Sequence, residues 1–350
     1  MKILLIQTGF IGDLILSTPV IAGIQKLYPE ASLSVLTTPV CSPLLQADSR
    51  LSEVLVFDKR KDDKGLGGLY RMIKKLRAKS YDKIFSLHKS HRTALLVALS
   101  GAAEKYGFEE ASMPFLYTKV SPRADLKHDV LRNLAILRNV GVNVEEASTP
   151  MQLKSSTAAV EVANEFLQKI SSRPLIGVAP GSVWLTKRWT ESGFRNFVRL
   201  ASARGWGVAL LGGPNDIELA ETIRDGNQEV LNLCGKLQID ESVAFIRNLD
   251  VLVSNDSSPL HMASATGTPV VALFCATVPE FGYGPWMVPH KILGVPNLEC
   301  RPCGRHGGNT CPTGTHACRE GITPESVVQA VDLLLEQTKG SDASSRNENL

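Results

Sequence analysis

The sequence predicts an α/β chain of two doubly wound, parallel-sheet domains facing a central cleft, and three observations carry that prediction. Apolar runs of strand length alternate with segments of helical spacing across most of the 350 residues. The alternation pauses in a polar stretch and restarts at PLIGVAP, residues 174–180. A chain of this length also exceeds what one hydrophobic core usually organises, so two domains are the natural division.

In chain order, KILLIQ reads as a strand and DLILSTPVIAGIQKLY as one helical segment. SLSVLTT and VLVF follow as strands, then a basic helix, then KIFSLH leading into the helical TALLVALSGA. The second half runs through FRNFVRLASARG, GVALLGG, ELAETIRD, SVAFIRNL, VLVSND and PVVALF, and closes on the helix SVVQAVDLLLEQT. Repeated βα units with crossover helices require parallel sheets. The halves join near residues 155–174, with the boundary set between 172 and 173; the second domain ends at residue 340, and the polar tail 341–350 is expected to be disordered.

Charge and leader signals narrow the function classes. Residues 1–172 hold 23 Lys/Arg against 17 Asp/Glu, whereas the remainder holds 15 against 18, for a net charge of +3. So small an asymmetry does not suggest DNA binding; it suits an acidic substrate, an anionic membrane face, or a solvated surface with no partner. The apolar run in MKILLIQTGF is too short for a signal-peptide core or a membrane span, so a cytoplasmic location is expected. Cys41, Cys234 and Cys275 stand alone while Cys300, Cys303, Cys311 and Cys318 cluster as C-x2-C-x7-C-x6-C, which is not the spread of a disulfide framework. That cluster reads as structural zinc, as buried free thiols or as a redox-labile pair.

Open α/β sheets bind ligands at the carboxyl ends of their strands, and the sequence punctuates those ends. Gly9 and Gly12 bracket the turn after the first strand, with Asp13 at the start of the helix. The turn lacks G-x-G-x-x-G spacing and the second strand lacks a terminal acidic residue, which disfavours a nicotinamide enzyme. Asp13 is either a first-turn carboxylate favoured by the helix dipole or a general base for a sugar hydroxyl. In PGSVWLTKRWTESGF, a glycine turn with Ser182 precedes Lys187, Arg188 and a helix beginning near Thr190, a suitable place for a phosphate. Asp256, Ser257 and Ser258 follow a buried strand, with His261 one turn into the next helix; the run reads either as a phosphate cradle or as an N-cap with a core histidine.

Taken together, GFIGDLILSTPVI, APGSVWLTKRWT, GGPNDIELA and SNDSSPLHMASATGTPVVALF resemble the ADP-heptose:lipopolysaccharide heptosyltransferase family, heptosyltransferase II-like members of glycosyltransferase family 9, over nearly the whole chain. The resemblance implies a GT-B fold of two Rossmann-like domains, with 1–172 on the acceptor side and 173–340 binding the nucleotide sugar. It implies inverting transfer of heptose from ADP-L-glycero-D-manno-heptose to the inner core of lipopolysaccharide, with no metal needed for catalysis. Asp13 matches the family's base, Lys187 its phosphate-binding lysine, and Asp256, Ser257, Ser258 and His261 its donor loop, where Ser258 replaces the more usual glycine. Ser182 and Arg188 join the expected donor set, and Gly12, Lys64, His88 and Arg92 the acceptor set. The basic segment from Lys59 through Lys79 would attract an acidic acceptor and allow peripheral contact with the cytoplasmic membrane face. Competing functions are another nucleotide-diphosphate-sugar GT-B transferase, a sugar-nucleotide epimerase, or a non-catalytic nucleotide or glycan binder.

Overall fold

Hydrophobic strands buried on both faces are what a parallel sheet covered by helices requires, and this chain supplies two such sets. The computed structural model describes the backbone of residues 1–347 and side chains through Thr338. Two compact units result, Met1–Ser156 and Thr157 onward. The helix Thr157–Leu167 therefore belongs with the second unit, where it packs on the helix Ile239–Ile246, whereas a boundary at 172/173 leaves it with the first.

In the first unit, β1 (Lys2–Ile6), β2 (Ser32–Thr37), β3 (Glu53–Val56), β4 (Lys83–Ser86), β5 (Glu104–Phe108) and β6 (Lys119–Ser121) form one sheet in the order β3-β2-β1-β4-β5-β6. Every pairing is parallel, with Ile3 beside Leu33 on one side and Lys83 on the other. Leu4, Ile6, Leu36 and Ile84 are buried in a core cluster completed by Leu69, Met72, Ile73 and Leu76 from the helix Gly65–Lys79. The opposite face of that helix exposes Arg71, Lys74, Lys75 and Arg77.

The segment expected as one helix after β1 is two, Ile11–Ile15 and Thr18–Leu27. Pro19 lacks an N–H and its ring clashes with the carbonyl four residues back, so a continuous helix breaks at Leu16–Ser17. The Ser17 hydroxyl donates to the Leu14 carbonyl at 2.6 Å and the Thr18 hydroxyl to that of Ile15 at 2.8 Å, satisfying the acceptors the break exposes.

The second unit repeats the plan. Strands β7 (Leu175–Ala179), β8 (Gly207–Leu210), β9 (Leu231–Asn232), β10 (Val251–Asn255), β11 (Val270–Leu273) and β12 (His290–Leu293) run in the order β12-β11-β10-β7-β8-β9, which is the same winding as the first sheet. β7 and β10 are buried along their whole length. The helix Glu191–Ala203 starts where the Thr190 hydroxyl accepts from the Gly193 N–H at 3.0 Å, and it lays Phe194, Phe197 and Val198 on the sheet. In each unit the strand order reverses beside the central pair, β1/β4 and β7/β10, and ligands of doubly wound sheets bind at the carboxyl ends of such pairs. The last helix is Pro324–Asn347; residues 348–350 of the segment expected as a tail lie outside the described residues.

Candidate active site

At the end of β1 the chain passes through Gln7 and Thr8, both buried, to Gly9, and Asp13 lies in the first turn of the short helix that follows. Asp13 Oδ2 accepts from the Phe10 N–H at 2.9 Å. A Cβ on residue 9 would stand 2.5 Å from that same oxygen, so only glycine lets the carboxylate fold back over the turn. Both readings of Asp13 thus occupy one geometry: the carboxylate caps a helix start and stands at the switch point. Gly12, half-buried in the same turn, gives its carbonyl to Leu16 N–H at 2.9 Å.

Lys59, which the sequence hid within a basic run, reaches this turn. Its Nζ donates to the Thr8 carbonyl at 2.9 Å and to Thr8 Oγ1 at 3.1 Å. Burial, then the charges of Arg92 and Arg60, lower its pKa. His88 lies two residues past the end of β4, with Nδ1 2.9 Å from Thr93 Oγ1 and 3.2 Å from Ser90 Oγ. Burial, followed by the Lys59 and Lys89 charges, lowers its pKa to about 4, so near neutral pH it is an uncharged imidazole. Arg92 lies over the Phe57 ring at 5.0 Å and donates to the carbonyls of Asp63 and, at 3.0 Å, of Gly65. Through Nη2 it thereby ties down the loop that presents the exposed Lys64.

In the second unit the structure joins residues that the sequence assigned separately. Lys187 Nζ lies 2.6 Å from Asp256 Oδ2, with side chains only 12% and 5% exposed. Thr277 Oγ1 donates to the same Asp256 oxygen at 2.7 Å, a contact that nothing in the sequence pattern signalled. Asn255, the last residue of β10, accepts from Trp189 N–H at 2.9 Å and donates to the Pro180 carbonyl at 2.7 Å, fastening the Lys187 segment to the end of β7. Arg188 Nε donates to the Ser182 carbonyl at 2.9 Å. Ser257 and Ser258 are half-buried at the start of the helix Ser258–Thr266, and His261 is buried one turn in.

Cys300, Cys303 and Cys311 are partly exposed and Cys318 is buried; all four are free thiols. Hydrogen bonds from Thr313, then His316, lower the Cys311 pKa to about 7, while burial raises that of Cys303 and Cys318. Among the described residues no group of three or more His, Cys, Asp or Glu side chains stands where it could hold a metal ion, so a zinc site rests on the spacing of the thiols alone. No helix among the described residues is long and apolar enough to cross a membrane.

The same winding in both units, with polar strand ends at both switch points, is the architecture of the GT-B glycosyltransferases. The comparisons narrow it further. Residues 69–311 match the model of glycosyltransferase family 9 (heptosyltransferase), and the chain belongs to that family. It is 26% identical over 350 residues to lipopolysaccharide heptosyltransferase 2 of Escherichia coli K12, covering 96% of this chain and 99% of the relative. The solved ADP-heptose lps heptosyltransferase II of E. coli superposes with a TM-score of 0.81 at 25% identity, over 97% of this chain and 100% of that one. A glycosyl transferase family 9 structure from Veillonella parvula DSM 2008 shares the fold with a TM-score of 0.87 at 23% identity, over 96% and 97%. The chain is thus an enzyme of the lipopolysaccharide heptosyltransferase type.

Proposed function

We propose that this enzyme transfers heptose from ADP-L-glycero-D-manno-heptose, with inversion, to a sugar of the lipopolysaccharide inner core. The observation that carries the reading is the shielded Lys187–Asp256 pair at the β7/β10 strand ends, beside Ser257 and Ser258 at the start of the helix Ser258–Thr266. The known activities of relatives similar along nearly their whole length support the donor and acceptor class.

Inverting transfer makes two chemical demands, and each unit carries the groups for one. The acceptor hydroxyl must lose a proton as its oxygen bonds to the anomeric carbon; the Asp13 carboxylate takes that proton. The bond from that carbon to the diphosphate oxygen breaks on the opposite face, and ADP leaves with the electron pair. Lys187 has three N–H donors; Asp256 engages two, through Oδ2 at 2.6 Å and its backbone carbonyl at 3.5 Å, which leaves one for a diphosphate oxygen. With Oδ2 held by Lys187 and Thr277, Asp256 Oδ1 accepts from a donor sugar hydroxyl. Ser182, Arg188, Ser257, Ser258 and His261 complete the proposed donor wall, and Gly12, Lys64, His88 and Arg92 the acceptor wall, with Arg92 acting through the Lys64 loop and His88 through an uncharged hydrogen bond.

Catalysis in this reading needs no divalent cation, and any zinc on the four clustered cysteines is structural. The exposed basic face of the helix Gly65–Lys79, with Leu66 and Tyr70 exposed beside it, would rest against the anionic cytoplasmic membrane face. Sedimentation with anionic vesicles tests that contact: binding is expected and should weaken with salt. The decisive experiment for the function incubates purified enzyme with ADP-heptose and a panel of truncated lipopolysaccharide cores. ADP release with a heptose-extended product of the opposite anomeric configuration is the expected result. Turnover only with another nucleotide sugar, or a product of retained configuration, would overturn it.

A further inference from the structure

The cysteine-rich segment plays no part in the chemistry above, yet it touches each side of the donor-side lysine. Upstream, the Thr186 N–H donates to the Gly308 carbonyl at 3.0 Å. Thr186 Oγ1 donates to that carbonyl at 2.9 Å and accepts from the Gly308 N–H at 2.8 Å, and the whole residue is buried. Gly307 makes the approach feasible. Its φ is +72°, and a Cβ there would lie 2.9 Å from Thr186 Oγ1 and 3.2 Å from Lys187 Cγ. Downstream, Arg319 Nε donates to the Arg188 carbonyl at 2.7 Å.

The same segment also grips the wall that carries Thr277. The Arg301 guanidinium donates to the carbonyls of Phe274, Cys275 and Thr277 at 3.0, 2.7 and 3.0 Å, and the Cys303 N–H donates to Ala276 O at 2.9 Å. Thr277 in turn donates to Asp256, the partner of Lys187. Bonds from one stretch of chain thus fix both neighbours of the cation and the residue that orients its counter-ion.

We propose that Cys300–Arg319 is a strap that positions the Lys187–Asp256 pair for the leaving diphosphate, with Thr186 and Arg319 as its positioning residues. The inference rests on the proposed role of Lys187. A four-carbon stem has many rotamers, and each hydrogen bond that fixes the backbone on either side of it reduces the spread of positions its ammonium samples. What acts on the strap, including any chemistry at its thiols, therefore reaches the donor site through Thr186 and Arg319 on the Lys187 side and through Arg301 on the Thr277 side.

The test measures ADP affinity by calorimetry, donor and acceptor KM, kcat and the melting temperature for Thr186→Val, Thr186→Ser, Arg319→Gln and Lys187→Ala in the full chain. Valine keeps the shape of threonine and removes both hydroxyl bonds, so ADP Kd and donor KM should rise about tenfold while acceptor KM holds. Serine should restore both, and Arg319→Gln should move them in the same direction as valine. A folded Thr186→Val enzyme with wild-type ADP affinity and donor KM, even one that melts earlier, overturns the strap. Should Thr186→Val fail to fold, Arg319→Gln decides by the same criterion. Weakened ADP binding in Lys187→Ala with no change in the strap variants defeats the strap alone; unchanged binding in Lys187→Ala defeats the diphosphate assignment and the strap with it.

Discussion

Lys187 and Asp256 approach to 2.6 Å while both side chains are largely withdrawn from water. A shielded pair of this kind is held at the cost of desolvating two charges, and losing either partner strands the other. The pair therefore links the donor site to the stability of the second unit.

Replacing Lys187 by Ala should weaken ADP binding at least about tenfold and lower the melting temperature, since truncating one partner of a buried pair costs about 3–5 kcal/mol. Calorimetry with ADP and a thermal melt read the two effects separately. Normal ADP affinity would move the diphosphate elsewhere, with Arg188 the adjacent cation.

Asp13→Asn should leave the fold and ADP affinity nearly unchanged, because an amide oxygen can still accept from the Phe10 N–H, yet lower kcat by about 100-fold or more. Gly9→Ala should reproduce much of that loss without touching ionisation, since its Cβ would press on Asp13 Oδ2 from 2.5 Å. Steady-state kinetics on both variants check the assignment. Turnover near the wild-type rate in Asp13→Asn would remove Asp13 as the base.

The buried strands were legible because they are continuous apolar runs: VLVSN and LIGVA need no partner to be recognised. Shorter, more polar strands were not. β5 opens Glu104-Lys105, and its place between β4, where Tyr106 stacks on Phe85 at 4.5 Å, and β6 makes it a strand. Candidate site residues stood out in the sequence where a motif marks them, as at Asp13, Lys187 and Asp256. The bonds that hold these segments, Lys59 to Thr8, Thr277 to Asp256 and Thr186 to Gly308, span 51, 21 and 122 positions, so only the tertiary fold reveals them.

His88 gives the enzyme an acid-sensitive element in the first unit. Its folded pKa of about 4 lies below the ordinary histidine value of 6.5, so between those limits the unfolded chain binds the extra proton and the folded one does not. Stability contributed by the neutral imidazole is fully present above about pH 6.5 and is lost as pH falls toward 4. Melting curves from pH 7.5 to 4 should fall less steeply for His88→Gln than for wild type. Parallel curves would show that burial does not hold this imidazole neutral.

Transfer should survive chelation. Lys187 supplies positive charge for the departing diphosphate beside the start of the helix Ser258–Thr266. The proposed structural zinc makes a separate demand. Four thiolates at Cys300, Cys303, Cys311 and Cys318 would lose it together, and because the strap they belong to bonds Thr186 and Arg188, its removal should lower the melting temperature. A brief EDTA treatment followed by assays with and without magnesium, beside metal analysis of untreated enzyme, separates the two. The initial rate of folded enzyme is expected to be unchanged by EDTA and by magnesium, whether or not the untreated protein carries zinc. Activity lost to EDTA and restored only by magnesium would defeat the metal-independent mechanism, whereas a zinc-free preparation that folds and turns over would remove the structural site and leave the mechanism standing.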